Sequence, residues 1–230
     1  MAGRADQIRP VRIEPPGLDG LLGVPEAARG IVLFAHGSGS GRLSPRNNYV
    51  AAALRQAGLA TLLLDLLTPE EERDRANVFD IGLLASRLAL ATRWVGGNPA
   101  AASLAVGYFG ASTGAAAALV AASPAEARIG AVVSRGGRPD LAGNALERVR
   151  APTLLLVGSL DGPVIGLNRQ AFARLGCEKE LVIVPGAGHL FEEPGTLDEV
   201  VRHAIRWFTT HLDGPGQGGA ADVGSQSVFR

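Results

Sequence analysis

Ser112 stands in Gly110-Ala111-Ser112-Thr113-Gly114, behind the apolar run Leu104 to Phe109 and ahead of the helix-forming run Ala115 to Val120. A strand that turns at a serine directly into a helix pushes the hydroxyl out over the sheet edge, and the new helix offers its unpaired N–H groups to an oxyanion. An alcohol is a poor nucleophile near neutrality. It needs a histidine to take its proton and an acid to hold that histidine in the right tautomer. His189 lies in Pro185-Gly186-Ala187-Gly188-His189 after the apolar run Leu181 to Val184, and Asp161 follows the run Leu154 to Gly158 by three residues. The chain order Ser, Asp, His, with each residue just beyond a strand end, suits acyl transfer to water. Asp140, after the preceding strand, is the reserve acid, and a turn in Leu160-Asp161-Gly162-Pro163 is the plain alternative for Asp161.

A second loop bears on the same chemistry. His36-Gly37-Ser38-Gly39-Ser40-Gly41 closes the run Ile31 to Ala35, and its glycines let backbone approach a substrate carbonyl. The backbone N–H groups of Ser38 and Thr113 are the expected oxyanion hole. Gly-rich loops after a strand also bind phosphates, but the P-loop lysine is missing and the dinucleotide glycine spacing is not met. His36 reads as a residue that fixes the loop by hydrogen bonding. Arg42 and Arg46 follow this loop, and Arg135 and Arg138 follow the strand ending at Ser134, so all four can reach one rim and favour esters carrying a carboxylate or phosphate. Surface ion pairing, of Arg138 with Asp140 or of Arg42 with Glu70-Glu71-Glu72, is the competing reading.

The elements that must hold these residues alternate along the chain. Val11 to Glu14 and Leu18 to Val24 read as an antiparallel hairpin around Pro15-Pro16-Gly17, and Gly30 to Ala35 as a strand buried on both faces. Asn47 to Ala57, Phe79 to Val95, Leu141 to Val149, Val164 to Leu175 and Leu197 to His211 read as helices, with a further helix after Ser112. Strands are expected at Ala60 to Leu67, Leu104 to Phe109, Ile129 to Ser134, Thr153 to Gly158 and Glu180 to Val184. The resulting α/β fold is a doubly wound, mostly parallel eight-stranded sheet with helices on both faces and no cap domain. Ligands bind such sheets at the carboxyl ends of the strands.

Composition excludes several classes. The 230 residues carry 22 basic and 22 acidic side chains, so no broad field favours nucleic acid or an anionic membrane. The four histidines are scattered, which gives no metal site, and no cofactor is expected. The single cysteine, Cys177, excludes an internal disulfide and reads as an incidental thiol. The polar start lacks a signal-peptide core and no long uncharged apolar stretch is present, so a cytoplasmic protein is expected, a monomer or homodimer acting on a small-molecule ester. Residues 1–212 are expected to form one domain and 213–230 a flexible tail.

Taken together, His36-Gly37, the elbow Gly110 to Gly114, Asp161 and His189 resemble the α/β-hydrolase superfamily over nearly the whole chain to about Leu212. The small size and missing cap make it similar to the dienelactone hydrolase branch. His36 to Asn47, Ala60 to Glu72 and Ser134 to Gly143 also resemble small hydrolase domains that occur alone or fused to phosphoribosyltransferase domains in bacteria; no such second domain is read here. Dienelactone hydrolases carry a cysteine at the elbow, and Ser112 in its place favours a general carboxylester hydrolase. The resemblance therefore implies a serine esterase. Acyltransferase, perhydrolase, thioesterase and lactonase activities use the same triad, and a binding module that keeps the fold without turnover is the alternative from another class.

Overall fold

The computed structural model describes residues 8–212, so the polar start and the expected tail at 213–230 lie outside the described residues. Eight strands form one sheet: β1 (Ile8–Ile13), β2 (Leu18–Gly23), β3 (Gly30–Ala35), β4 (Ala60–Leu64), β5 (Ala105–Ala111), β6 (Ile129–Arg135), β7 (Thr153–Gly158) and β8 (Lys179–Val184). Their spatial order is β1-β2-β4-β3-β5-β6-β7-β8, with β2 antiparallel to both β1 and β4 and the remaining pairs parallel. From β3 the chain moves outward to β4, then returns to lay β5 on the other side of β3. The order thus reverses between β3 and β5, and a crevice opens there beyond the strand ends.

The strand sequences explain the layering. Successive side chains of β3 alternate faces. Ile31, Leu33 and Ala35 join the core beneath α3 (Ile81–Gly96), α4 (Thr113–Ala121) and α5 (Gly162–Arg174), whereas Val32 and Phe34 join the core beneath α1 (Pro45–Gln56) and α6 (Thr196–His211). With helices on both faces, every residue of β3 is buried. The α4 helix replaces large side chains with Ala115 to Ala118, all buried, and so lies close to the sheet. Among the described residues, no helix is long and apolar enough to cross a membrane.

Several expected boundaries shift for identifiable reasons. The strand expected to reach Leu67 ends at Leu64; the Asp65 N–H still bonds the Asp19 carbonyl opposite it (2.9 Å), and its carboxylate turns to the Arg42 backbone N–H (2.6 Å). The helix expected from Phe79 starts at Ile81, and Phe79 itself ends a separate short helix. The short α2 (Arg75–Phe79) is capped by Asp74, and α3 begins only after Asp80, whose side chain accepts from the Leu83 N–H at 2.9 Å. The helix expected at Leu141 to Val149 is a run of 3₁₀ turns over Pro139–Arg148, kinked at Gly143 with φ 53°. Trp94 packs against one core and Trp207 is buried in the other.

Candidate active site

Ser112 is the pivot between β5 and α4, with φ 50° and ψ −121°. A non-glycine residue in this region costs about 1–3 kcal/mol and persists only where surrounding bonds fix it. Here the Ser112 carbonyl accepts from the Arg138 and Ala115 N–H groups at 3.0 and 3.1 Å. The flanking glycines make room. A Cβ at Gly110 would stand 2.4 Å from the Ala115 Cα, and one at Gly114 would stand 2.1 Å from the Ala35 carbonyl oxygen. The tight turn thus depends on both glycines.

His189 and Asp161 are brought together by two loops that touch. The Leu160 N–H donates to the Ala187 carbonyl (2.9 Å), and the Gly186 N–H donates to the Ser159 hydroxyl (2.8 Å). A Cβ at Gly158 would meet the Ala187 carbonyl oxygen at 2.2 Å, so only glycine lets the loops close up. Asp161 caps α5 through its backbone carbonyl while its side chain stays free of the helix. Its Oδ2 lies 2.7 Å from His189 Nδ1, with Asp161 12% and His189 38% exposed. The other ring nitrogen of His189 is left for a partner in the cavity.

That cavity, about 670 Å³, is lined by Ser112, His189, the loop from His36 to Arg46, Asp65, Glu72, Arg135 and Leu190. Its size suits a small molecule. Ser38 lies on the cavity and Thr113 on a small recess beside it. Neither backbone N–H finds an acceptor among the described residues. The buried Thr113 hydroxyl is also unpartnered. His36 behaves as the loop-fixing residue that the sequence suggests. Its Nε2 accepts from the Leu66 N–H (3.1 Å) and its Nδ1 faces the Gly37 carbonyl (3.0 Å), which places the ring proton on Nδ1.

The arginines part company. Arg138 makes a two-pronged pair with Asp140 at 2.9 and 2.8 Å and does not line the cavity, so its expected place in the substrate rim is corrected, and Asp140 is engaged as its counter-ion. Arg42 lines the cavity but is tied to Asp65 and reaches Asp19 (3.6 Å), not the acidic run at Glu70. It braces the oxyanion loop. Arg46 pairs with Glu192 at 2.6 Å. Arg135 lines the cavity, is 7% exposed, and donates only to the Asn47 side-chain oxygen (3.3 Å). Burial, with a smaller push from the Arg46 charge, lowers its pKa to about 10. In the largely exposed acidic run, Glu71 pairs with Arg87 and Glu72 lines the cavity. Asp65 and Glu72 escaped the sequence reading. Asp65 left one signal, a lone carboxylate inside the apolar run from Ala60 to Leu67.

No family model matches the chain. A solved dienelactone hydrolase from Anabaena variabilis is 58% identical, with 90% of this chain and 98% of that one covered at a TM-score of 0.86. The chain belongs to the dienelactone hydrolase family. The fold is also shared with more distant α/β proteins, among them Est1E from Butyrivibrio proteoclasticus, 13% identical over 89% of this chain and 98% of that one, with a TM-score of 0.74. A Mycobacterium tuberculosis protein bearing a phosphoribosyl transferase name is 62% identical over 205 residues, 89% of this chain. The chain spans about half of that relative, 46% of its length. This dienelactone hydrolase family member thus has a hydrolase fold, with the cavity at the crevice where the sheet order reverses.

Proposed function

We propose that the protein is a serine hydrolase that cleaves small carboxylic esters through an acyl-enzyme. The observation that carries this reading is the 2.7 Å His189–Asp161 pair, opening onto the same cavity as Ser112 held at positive φ. In the first step Ser112 Oγ attacks the ester carbonyl while His189 Nε2 takes its proton. The Asp161 carboxylate accepts the Nδ1–H bond and stabilises the imidazolium. The carbonyl oxygen, now negative, lies against the Ser38 and Thr113 N–H groups, each worth about 3–4 kcal/mol to the transition state. His189 then returns the proton to the leaving alcohol. Water repeats the sequence on the acyl-enzyme and frees the acid and Ser112.

The polar loops, with Leu43, Leu67 and Leu190 among the apolar lining, support a small substrate. Acyl transfer to a second nucleophile, and cleavage of thioesters or lactones, would use the same groups. The Mycobacterium tuberculosis relative's name belongs to a chain about twice as long, and the ester reading rests on the residues of this one. Steady-state kinetics on short-chain aryl esters test it. Ser112→Ala should lose nearly all turnover and keep its melting temperature within a few degrees, whereas wild-type rates in that variant would reject the assignment. Wild-type turnover in a folded His189→Ala variant would reject His189 as the base.

A further inference from the structure

One wall of the cavity carries positive charge that the ester chemistry does not use. Arg135, the last residue of β6, is 93% buried by its 7% exposure, and its Nε has no hydrogen-bond partner. Its contacts are neutral: the Asn47 oxygen at 3.3 Å, and the Phe191 ring, whose centroid is 5.9 Å from Cζ. Among the described residues, no carboxylate pairs with it. Arg46 stands beside it, close enough to depress its proton affinity further. The Arg46 Nε is likewise buried and unpartnered, and its only acid, Glu192, is 60% exposed.

The helix beneath adds to this field. Arg46 sits in the first turn of α1, which has no acidic residue, and Ser44 and Pro45 at the same end line the cavity. A helix N-terminus already carries partial positive charge and attracts anions. Two guanidiniums at such a place, one buried without a counter-ion, are stabilised when an anion enters.

We propose that Arg135, Arg46 and the first turn of α1 form a phosphate subsite, so that the ester cleaved here carries a phosphate monoester. The inference rests on the ester-hydrolase reading. A carboxylate brings one charge and a planar fork that a single guanidinium fills. A phosphate monoester brings about −1.5 to −2 charge and three acceptor oxygens. It can take bonds from the two guanidiniums, which both line the cavity, and from the helix end, and its charge balances that of both arginines. Arg42 is left out, because Asp65 already satisfies it. The phosphate is a handle only, and no bond to phosphorus changes.

Two measurements on the full chain test this. In the first, aryl acetates matched except for a para phosphate, carboxylate or neutral group are compared by kcat/KM. The phosphorylated ester should lead the neutral one by about 10–100-fold, the span of a charge-assisted hydrogen bond or two. Arg135→Met should collapse that ratio to below about threefold, and Arg46→Gln should lower it in part. In the second, inorganic phosphate is titrated against Ser112→Ala, which needs no turnover. Phosphate should raise its melting temperature, and should fail to do so once Arg135→Met is added. Protection of Ser112→Ala without any esterase activity would keep the subsite and reject the ester reading. Equal rates on neutral and phosphorylated esters, a preference for the carboxylate, or unchanged phosphate protection in the Arg135→Met background would overturn the subsite. Should that variant not fold, Arg46→Gln must weaken phosphate binding about tenfold, and unchanged affinity there overturns it equally.

Discussion

Replacing Arg135 by methionine should stabilise the ligand-free protein, although it removes a hydrogen bond. Burial and the nearby Arg46 lower the guanidinium pKa to about 10, which corresponds to about 3 kcal/mol working against the charged form in the fold. Methionine is similar in length, can follow the same path past Phe191, and brings no charge. Against the gain stand the Asn47 hydrogen bond and the ring contact, together about 1–2 kcal/mol. A net stabilisation of about 1–2 kcal/mol follows, or roughly 2–8 °C in melting temperature for a chain of this size. The sign with pH is also fixed. The folded pKa lies below the unfolded one, so above about pH 10 the unfolded chain holds more protons and wild-type stability rises with pH. Below about 10 both states are fully charged, so the advantage of Arg135→Met should stay constant from pH 6 to 9. Differential scanning calorimetry in a buffer free of phosphate measures this directly. A variant that melts several degrees lower would refute the reasoning, because Arg135 would then be compensated within the fold.

Other predictions follow from the same geometry. Asp161→Asn should leave the fold intact and lower kcat by about 10³–10⁴-fold, since His189 loses the partner that sets its tautomer, and a loss under tenfold would count against the pair's role. Gly114→Ala places a methyl 2.1 Å from the Ala35 carbonyl oxygen. It should destabilise by about 3 kcal/mol or more, read as a lower urea midpoint at constant m-value. Burial raises the Cys177 thiol's pKa, with its Sγ 3.7 Å from the Thr153 hydroxyl, so alkylation by iodoacetamide at neutral pH should be far slower in the folded protein than in urea. Equal rates would contradict the burial.

Much of the site was legible because each part sits at a strand end with its own local signal. The Gly-Ala-Ser-Thr-Gly turn, the Gly-rich loop after Gly30 to Ala35 and the late His189 each punctuate an apolar run, and the sheet order places them at one crevice. Pairings across the chain were harder to read. Arg138 has Asp140 two residues away and looked free to turn inward, yet the neighbouring carboxylate holds it outside the cavity. Arg42 meets Asp65 and Asp19 from two other strand ends, contacts that depend on the register of β2 and β4. Asp74 and Asp80 each start a helix, and only the cap geometry shows that the apparently continuous pattern from Phe79 is broken. The isolation of Arg135 is likewise invisible in sequence, because an unpaired charge is recognised only when every neighbour is known.

The central claim is that Ser112 is an activated nucleophile. Intact-mass spectrometry after treatment with a fluorophosphonate, with Ser112→Ala treated alongside, tests it most directly. The account predicts one adduct per chain in the wild type and none in the variant. A folded wild-type protein that stays unlabelled, or a variant labelled to the same extent, would contradict it.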